Sequence, residues 1–298
     1  MPAFAITRRA ALMGPAALLL PACTLDPDRD HDGPDAPRAA PLARTFGVAW
    51  VLGSGGPRGF THVGVLRALD ELGLAPDLIV GASVGAMVGV LRASGRRAQE
   101  IEALALDLNV LSFARLAFGT SERYSGAPIA EIVSLHAAEQ QLDRMPIAMA
   151  CVAVRKRDRG VVAFTAGRAA LAVQASAAIE GQFAPVRIRG ETYVDPDWDA
   201  PLPVRVARSL GARRVLAVDA SAHVDRAPEG AARYRESDAR KKALIDADAR
   251  EADLLLKPDF GYWVSFSRDF RERSIGAGYR DTMAQAQALR ELHRSVPA

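Results

Sequence analysis

Twice within its first hundred residues the chain runs a short apolar segment into a glycine-rich joint and then into a stretch of helical period. Phe46-Gly47-Val48-Ala49-Trp50-Val51-Leu52 leads into Gly53-Ser54-Gly55-Gly56-Pro57-Arg58-Gly59, after which apolar residues recur at 63, 65, 66, 69 and 72. Asp77-Leu78-Ile79-Val80 leads into Gly81-Ala82-Ser83-Val84-Gly85 and a second helical stretch ending near Ala93. Strand, crossover helix and strand imply a parallel pair, and a parallel pair implies an α/β layer architecture with helices covering the sheet. Further apolar runs predict strands at 147–154, 160–165, 186–194, 214–219 and 253–256. Helical patterning predicts helices at 97–109, 168–179, 202–210, 237–250 and over much of 266–295. No internal repeat is visible, so one domain over residues 44–298 is the simplest organisation.

Both joints leave the carboxyl end of a strand and enter a helix, where unpaired backbone N–H groups favour negative charge. The first is not a dinucleotide fingerprint, because Arg58 stands where the third glycine is needed, and it lacks the Gly-Lys-Ser/Thr of a P-loop. A set of amides aimed at developing negative charge, an oxyanion hole built from Gly55, Gly56, Pro57 and Arg58, suits it better. In the second joint small residues flank Ser83, as a tight strand-to-helix turn that presents a nucleophile requires. Gly-x-Ser-x-Gly is common by chance; its position between a strand and a helix is what makes it informative.

Together the joints resemble the patatin-like phospholipase family. Its Gly-Gly-x-Arg-Gly loop is matched by Gly55-Gly56-Pro57-Arg58-Gly59, running on into Phe60-Thr61-His62-Val63-Gly64-Val65-Leu66, and its elbow by Gly81 to Gly85. Ala175-Ser176-Ala177-Ala178-Ile179, Phe183-Ala184-Pro185-Val186, Tyr193-Val194-Asp195 and Pro201-Leu202-Pro203 resemble the segment that carries the family's catalytic aspartate, and Gly278-Tyr279 resembles its C-terminal helix. The resemblance covers about residues 46–285. It implies a three-layer α/β/α fold with a mostly parallel central sheet. It also implies a Ser-Asp dyad acyl hydrolase acting on phospholipid, lysophospholipid or related esters: Ser83 attacks, Asp195 takes its proton, and loop amides hold the oxyanion. Such a dyad needs neither a cofactor nor a metal.

Three departures from the family pattern bear on the site. Pro196 and Asp197 follow the aspartate where glycine is usual, and a proline restricts the residue before it, which could tilt Asp195 away from Ser83. Glu180 replaces a common proline, and Ser54 replaces the loop's first glycine. The order Ser83, Asp195, His223 also admits an α/β-hydrolase-type triad, and a non-catalytic lipid-binding protein is a further reading. His62 reads as a packing or capping residue. Arg58 steadies the loop or adds positive potential. Arg240-Lys241-Lys242 reads as a solvated helix face. Phe260, Tyr262, Trp263 and Phe266 suit either a membrane-facing rim or the core.

The amino-terminal segment reads as an address. Thr7-Arg8-Arg9 precedes an uncharged apolar run over residues 10–20 that is short for a bilayer span, and Leu20-Pro21-Ala22-Cys23 resembles the lipobox of bacterial lipoproteins, whose cysteine is acylated. An uncleaved anchor or a plain cleaved signal are the alternatives. Residues 1–22 are thus expected to be an export signal and residues 23–43 a lipidated Cys23 with a disordered tether, rich in aspartate and proline and poor in aliphatic residues. The expected partners are a lipid or acyl-ester substrate and a membrane surface reached through the anchor. Net charge is only +3 over 298 residues, so no global field recruits nucleic acid. With Cys23 acylated, Cys151 has no partner within the chain and reads as an inert core thiol. Nothing in the sequence specifies an oligomeric state.

Overall fold

The computed structural model describes residues 29–42, 44–109 and 122–294. The expected export signal and Cys23 lie outside the described residues. A nine-stranded sheet organises the described chain. Its parallel heart runs in the order β4 (Ala148–Arg155), β3 (Leu78–Ala82), β2 (Phe46–Leu52), β8 (Ala212–Val218) and β9 (Leu254–Leu256). Beyond β4 the sheet turns antiparallel, through β5 (Gly160–Phe164) and through the pair β6 (Val186–Ile188) and β7 (Glu191–Val194). The fold is therefore mixed α/β with a mostly parallel sheet flanked by helices, as the sequence pattern implies.

The central strands β2 and β3 are apolar throughout, and β4 as far as Val154, because both faces are covered. Along β2, Val48, Trp50 and Leu52 face one core and Ala49 and Val51 the other; in β4, Met149, Cys151 and Ala153 alternate with Ala150 and Val152 in the same way. The larger core packs beneath α1 (Phe60–Glu71), α2 (Val84–Ala93) and α5 (Ala169–Ser176), with Ile275 of α8 (Arg268–Met283) and Leu289 of α9 (Ala286–His293) closing it. Val204 and Ala207 of α6 (Val204–Ser209) and Ile245 of α7 (Arg235–Ala249) cover the opposite face. Cys151 is fully buried in β4, and burial pushes its thiol pKa up, so it is held as the neutral thiol.

Two expectations are corrected. Residues 186–194 are a hairpin and not one strand, since Arg189 and Gly190 both take positive φ, at 52° and 80°, and reverse the chain. Residues 30–42 are not part of a free tether. Asp30–His31 forms β1 at the sheet edge beside β6, and Ala36 is buried. Asp35 pairs with Arg168, Asp30 accepts from the Gly190 N–H, and the Thr165 hydroxyl donates to Ala40 O at 2.6 Å while accepting from Ala40 N at 2.8 Å. A segment too polar to build a core is thus ordered by hydrogen bonds and charge pairing to a body that already exists.

Candidate active site

The loops after β2 and β3 emerge side by side at the carboxyl edge of the sheet, and their backbones touch. A Cβ on Gly85 would overlap Leu52 O and lie 2.7 Å from Gly53 O; one on Gly59 would overlap the Val84 side chain. One on Gly81 would lie 2.5 Å from Ala86 Cα and from Gly85 O. Glycine at these positions is therefore a steric requirement of bringing the two joints together. Between Gly81 and Gly85, Ser83 sits at φ 56°, ψ −123°, outside the ordinary regions for a side-chain-bearing residue and directly ahead of α2. The Ser83 N–H donates to Ser176 Oγ at 2.9 Å, and that hydroxyl in turn donates to Val152 O at 2.5 Å, which ties the elbow to β4 and to the end of α5.

Sheet register brings the carboxylate to the serine. Ala82 is paired with Val152 in parallel and Val154 with Val194 in antiparallel, while β5 takes the other edge of β4 at both positions, so β3 and β7 run toward each other along one edge and the next residues, Ser83 and Asp195, meet at the level of Ala153. The Asp195 N–H donates to Ala178 O at 3.0 Å, just beyond α5. Its Oδ1 accepts from the Asp197 N–H at 2.8 Å, while the buried Oδ2 finds no hydrogen-bond partner of ordinary geometry. Burial first, and then the negative charge of Asp197, push the Asp195 pKa up to about 7; donation from the Ser83 hydroxyl, the Asp197 N–H and the Lys241 charge oppose the rise. The Ser83–Asp195 approach is therefore close but looser than a regular hydrogen bond, as is common before substrate binds.

The glycine loop is held from several sides. His62, fully buried on α1, meets Gly53 O through Nε2 at 2.8 Å, and burial lowers its pKa to about 4, so it is a neutral donor that fixes the turn. Arg58 extends away from the elbow to donate to Tyr262 O at 2.7 Å, its guanidinium 5.9 Å from the Tyr262 ring centre. Gly56 takes φ 55°. Among the described residues no acceptor takes the Gly55 or Gly56 N–H, whereas the Arg58 N–H is turned back to Gly55 O at 3.1 Å and Pro57 has none to give. Of the four loop residues expected to supply amides, only Gly55 and Gly56 therefore fit; Arg58 steadies the loop.

The family model of the patatin-like phospholipases matches residues 50–207, more than half of the chain and the stretch that carries both joints and Asp195. The chain belongs to the patatin-like phospholipase family. It is 28% identical over 211 residues to the lysophospholipase NTE1 of Mycosarcoma maydis, covering 67% of this chain and 11% of that protein. It is 30% identical over 201 residues to the patatin-like phospholipase domain-containing protein 7 of Rattus norvegicus, covering 65% and 15%. An uncharacterized NTE family protein of Mycobacterium tuberculosis is 32% identical over 174 residues, covering 57% and 48%. The chain thus spans a small fraction of the fungal and rat relatives and about half of the mycobacterial one. In fold it is similar to VipD from Legionella pneumophila, with a TM-score of 0.52 at 14% identity over 87% of this chain and 71% of that one.

Against the patatin-like pattern, each departure has a place in the structure. Asp195 takes φ −59°, ψ 138°, the extended region a following proline favours, so Pro196 leaves its carboxylate beside Ser83. Glu180 is drawn off to Arg159 at 2.8 Å, and Arg159 also binds Asp199 at 2.5 Å. Ser54 donates to Asp197, whose Oδ1 also meets Lys241 Nζ at 2.5 Å. Lys241 is therefore not part of a solvated face, unlike its neighbour Lys242, which pairs along the helix with Asp246. His223 meets Pro258 O through Nε2 at 3.2 Å and leaves from β8, with β2 between it and the elbow strand; among the described residues no hydrogen bond joins it to Ser83 or Asp195. Phe260 and Tyr262 are buried, whereas Trp263 and Phe266 are exposed.

Ser176, Asp197 and Lys241 take part in the site although the sequence assigns none of them a role there. Ser176 carried a signal, a lone hydroxyl in an alanine run beside the aspartate segment. Lys241 carried none.

Proposed function

We propose that the chain is a serine acyl hydrolase that cleaves fatty-acyl esters of lysophospholipids, phospholipids or related lipids through a Ser83–Asp195 dyad. The observation that carries this reading is a serine held in a strained elbow beside a buried carboxylate, one oxygen of which has no regular partner. The two unclaimed amides of Gly55 and Gly56 lie on the adjoining loop. Ser83 Oγ attacks the ester carbonyl carbon as its proton passes to Asp195, and the carbonyl oxygen gains the charge that the amides stabilise. Collapse breaks the ester C–O bond, and the leaving alkoxide takes the proton from Asp195. Water then attacks the acyl-Ser83, giving its proton to Asp195. Collapse of the second tetrahedral intermediate frees the fatty acid and returns the proton to Ser83. The fungal relative that is a lysophospholipase by name supports a lysolipid-type substrate.

From the amino-terminal motif we also propose that the protein is an exported lipoprotein, with residues 1–22 removed and Cys23 acylated. A fluorophosphonate probe tests the chemistry: covalent labelling mapped to Ser83, lost in Ser83→Ala, with release of fatty acid from lysophosphatidylcholine. A protein that binds lipid without labelling or turnover is a binding module and not a hydrolase.

A further inference from the structure

Ser54, a departure from the family pattern, meets Asp197, the residue after the departing Pro196, and a third residue from a distant helix joins them. Asp197 receives the Ser54 hydroxyl and Lys241 Nζ on the same oxygen, Oδ1, while its own N–H is the donor that orients Asp195 Oδ1. Lys241 reaches this point from α7, 44 positions along the chain, with its side chain only 17% exposed. We propose that Lys241 is a positioning residue of the dyad: by clamping Asp197 it holds the Asp195-Pro196-Asp197 turn, and its charge partly cancels that of Asp197 beside the Asp195 carboxylate. This rests on the dyad reading above.

The geometry gives each member a separate task. Without an anchor, an Asp-Pro-Asp turn would leave a second carboxylate free to move beside the first. Two neighbouring carboxylates in a buried site resist ionising together, which would leave Asp195 protonated and useless as a base. Lys241 reduces that conflict at its source, and Ser54 fills the remaining approach to the same oxygen. The other charges near the turn are engaged elsewhere: Arg159 with Glu180 and Asp199, Arg58 with Tyr262 O, Lys257 with Asp219 at 3.0 Å, and Arg240 over the Trp198 ring at 5.6 Å. Burial and Asp197 raise the proton affinity of Asp195, whereas Lys241 and the Ser83 hydroxyl lower it, so the two charged partners act with opposite sign.

That opposition is the test. Profiles of kcat/KM against pH for a short-chain nitrophenyl ester would be measured on the purified full chain, as wild type, Lys241→Met, Lys241→Arg, Asp197→Asn and Asp195→Asn, with melts for each. Lys241→Met should move the acid limb to higher pH by roughly half to one unit and lower kcat about tenfold at neutral pH, with KM little changed. Lys241→Arg should restore most of the loss. Asp197→Asn keeps the turn's N–H and removes the negative charge, so its acid limb should move to lower pH. Limbs that stay in place, or move in the same direction, while Asp195→Asn is inactive overturn the proposal and leave the dyad standing. If Lys241→Met does not fold, an unmoved limb in Asp197→Asn overturns it alone. Full activity in Asp195→Asn removes the dyad and this proposal with it.

Discussion

Asp195 gives up its proton only at a cost to the fold. Its pKa is raised from an ordinary 3.8 to about 7, chiefly by burial, so the folded chain keeps a proton that the unfolded chain has already lost between those values. The stabilisation from this group is full below about pH 4 and is lost as pH rises through about 7, the reverse of a salt-bridged aspartate. At pH 8 the native state carries the whole burden of a buried charge with one unsatisfied oxygen. Asp195→Asn removes that charge while its amide oxygen still accepts from the Asp197 N–H. Its expected outcome is therefore a Tm higher by roughly 3–6 °C at pH 8, a difference that closes toward pH 4, together with a loss of turnover of about a thousandfold or more. Wild-type turnover should fall as pH drops through about 7, as the base becomes protonated. Calorimetry at the two pH values and a rate profile check both halves; an unchanged or lower Tm at pH 8 would show that the carboxylate is stabilised in the fold.

The elements that position the site do so by backbone approach more than by side-chain packing. Where α1 crosses α8, a Cβ on Gly64 would overlap Ile275 O and lie 2.7 Å from Tyr279 N, and one on Gly278 would overlap Thr61 O. Two glycines thus let the helices touch along their main chains, and α1 carries the glycine loop at its start. Gly64→Ala or Gly278→Ala must push the helices apart, at a cost of about 1–3 kcal/mol, and displace the loop with them. Each is expected to lower Tm and reduce kcat more than a surface change of equal stability cost; a melt and a rate on the same sample decide it, with unchanged activity in a destabilised variant counting against the coupling. The elements themselves were legible to different degrees. Strands β2, β3 and β4 stand out because doubly covered strands are continuous apolar runs, and the joints because Gly81 and Gly85 have no steric alternative. The 186–194 hairpin was hidden by Arg189, which lacks the short polar side chain that usually marks a positive-φ turn. Helix α4 (Ala127–His136) lay in a stretch too mixed to read. The Lys241–Asp197 contact leaves no local trace at all, since only the folded sheet brings α7 to the turn.

At the scale of the whole molecule, the boundary between anchor and body is where the sequence reading and the structure part most. Composition marks residues 24–41 as unable to fold alone, and this is sound for the segment in isolation. Its aspartates nonetheless find partners on the body: Arg168 for Asp35 and the Gly190 N–H for Asp30, while the chain at Arg38 bridges to Ala166 and Ala36 O approaches Gly167 so closely that a Cβ there would lie 2.6 Å away. Acylation at Cys23 would then leave only residues 24–29 between lipid and docked chain, about 20 Å at full extension, so the proposed anchor holds the body close to the membrane. Two truncations separate a docked segment from a tether. A chain starting at residue 29 keeps β1 and every described contact of residues 30–42, so it should melt with the chain that starts at Cys23. A chain starting at residue 44 loses β1, the Asp35–Arg168 pair and the Thr165–Ala40 bonds, and exposes the surface that Ala36 covers. It should melt roughly 4–10 °C lower, since 2–3 kcal/mol in a domain of this size shifts Tm by a few degrees each. Equal melting of the two would mean that residues 30–42 contribute nothing to the fold and behave as a tether after all. A lower Tm only in the shorter chain makes them part of the folded domain.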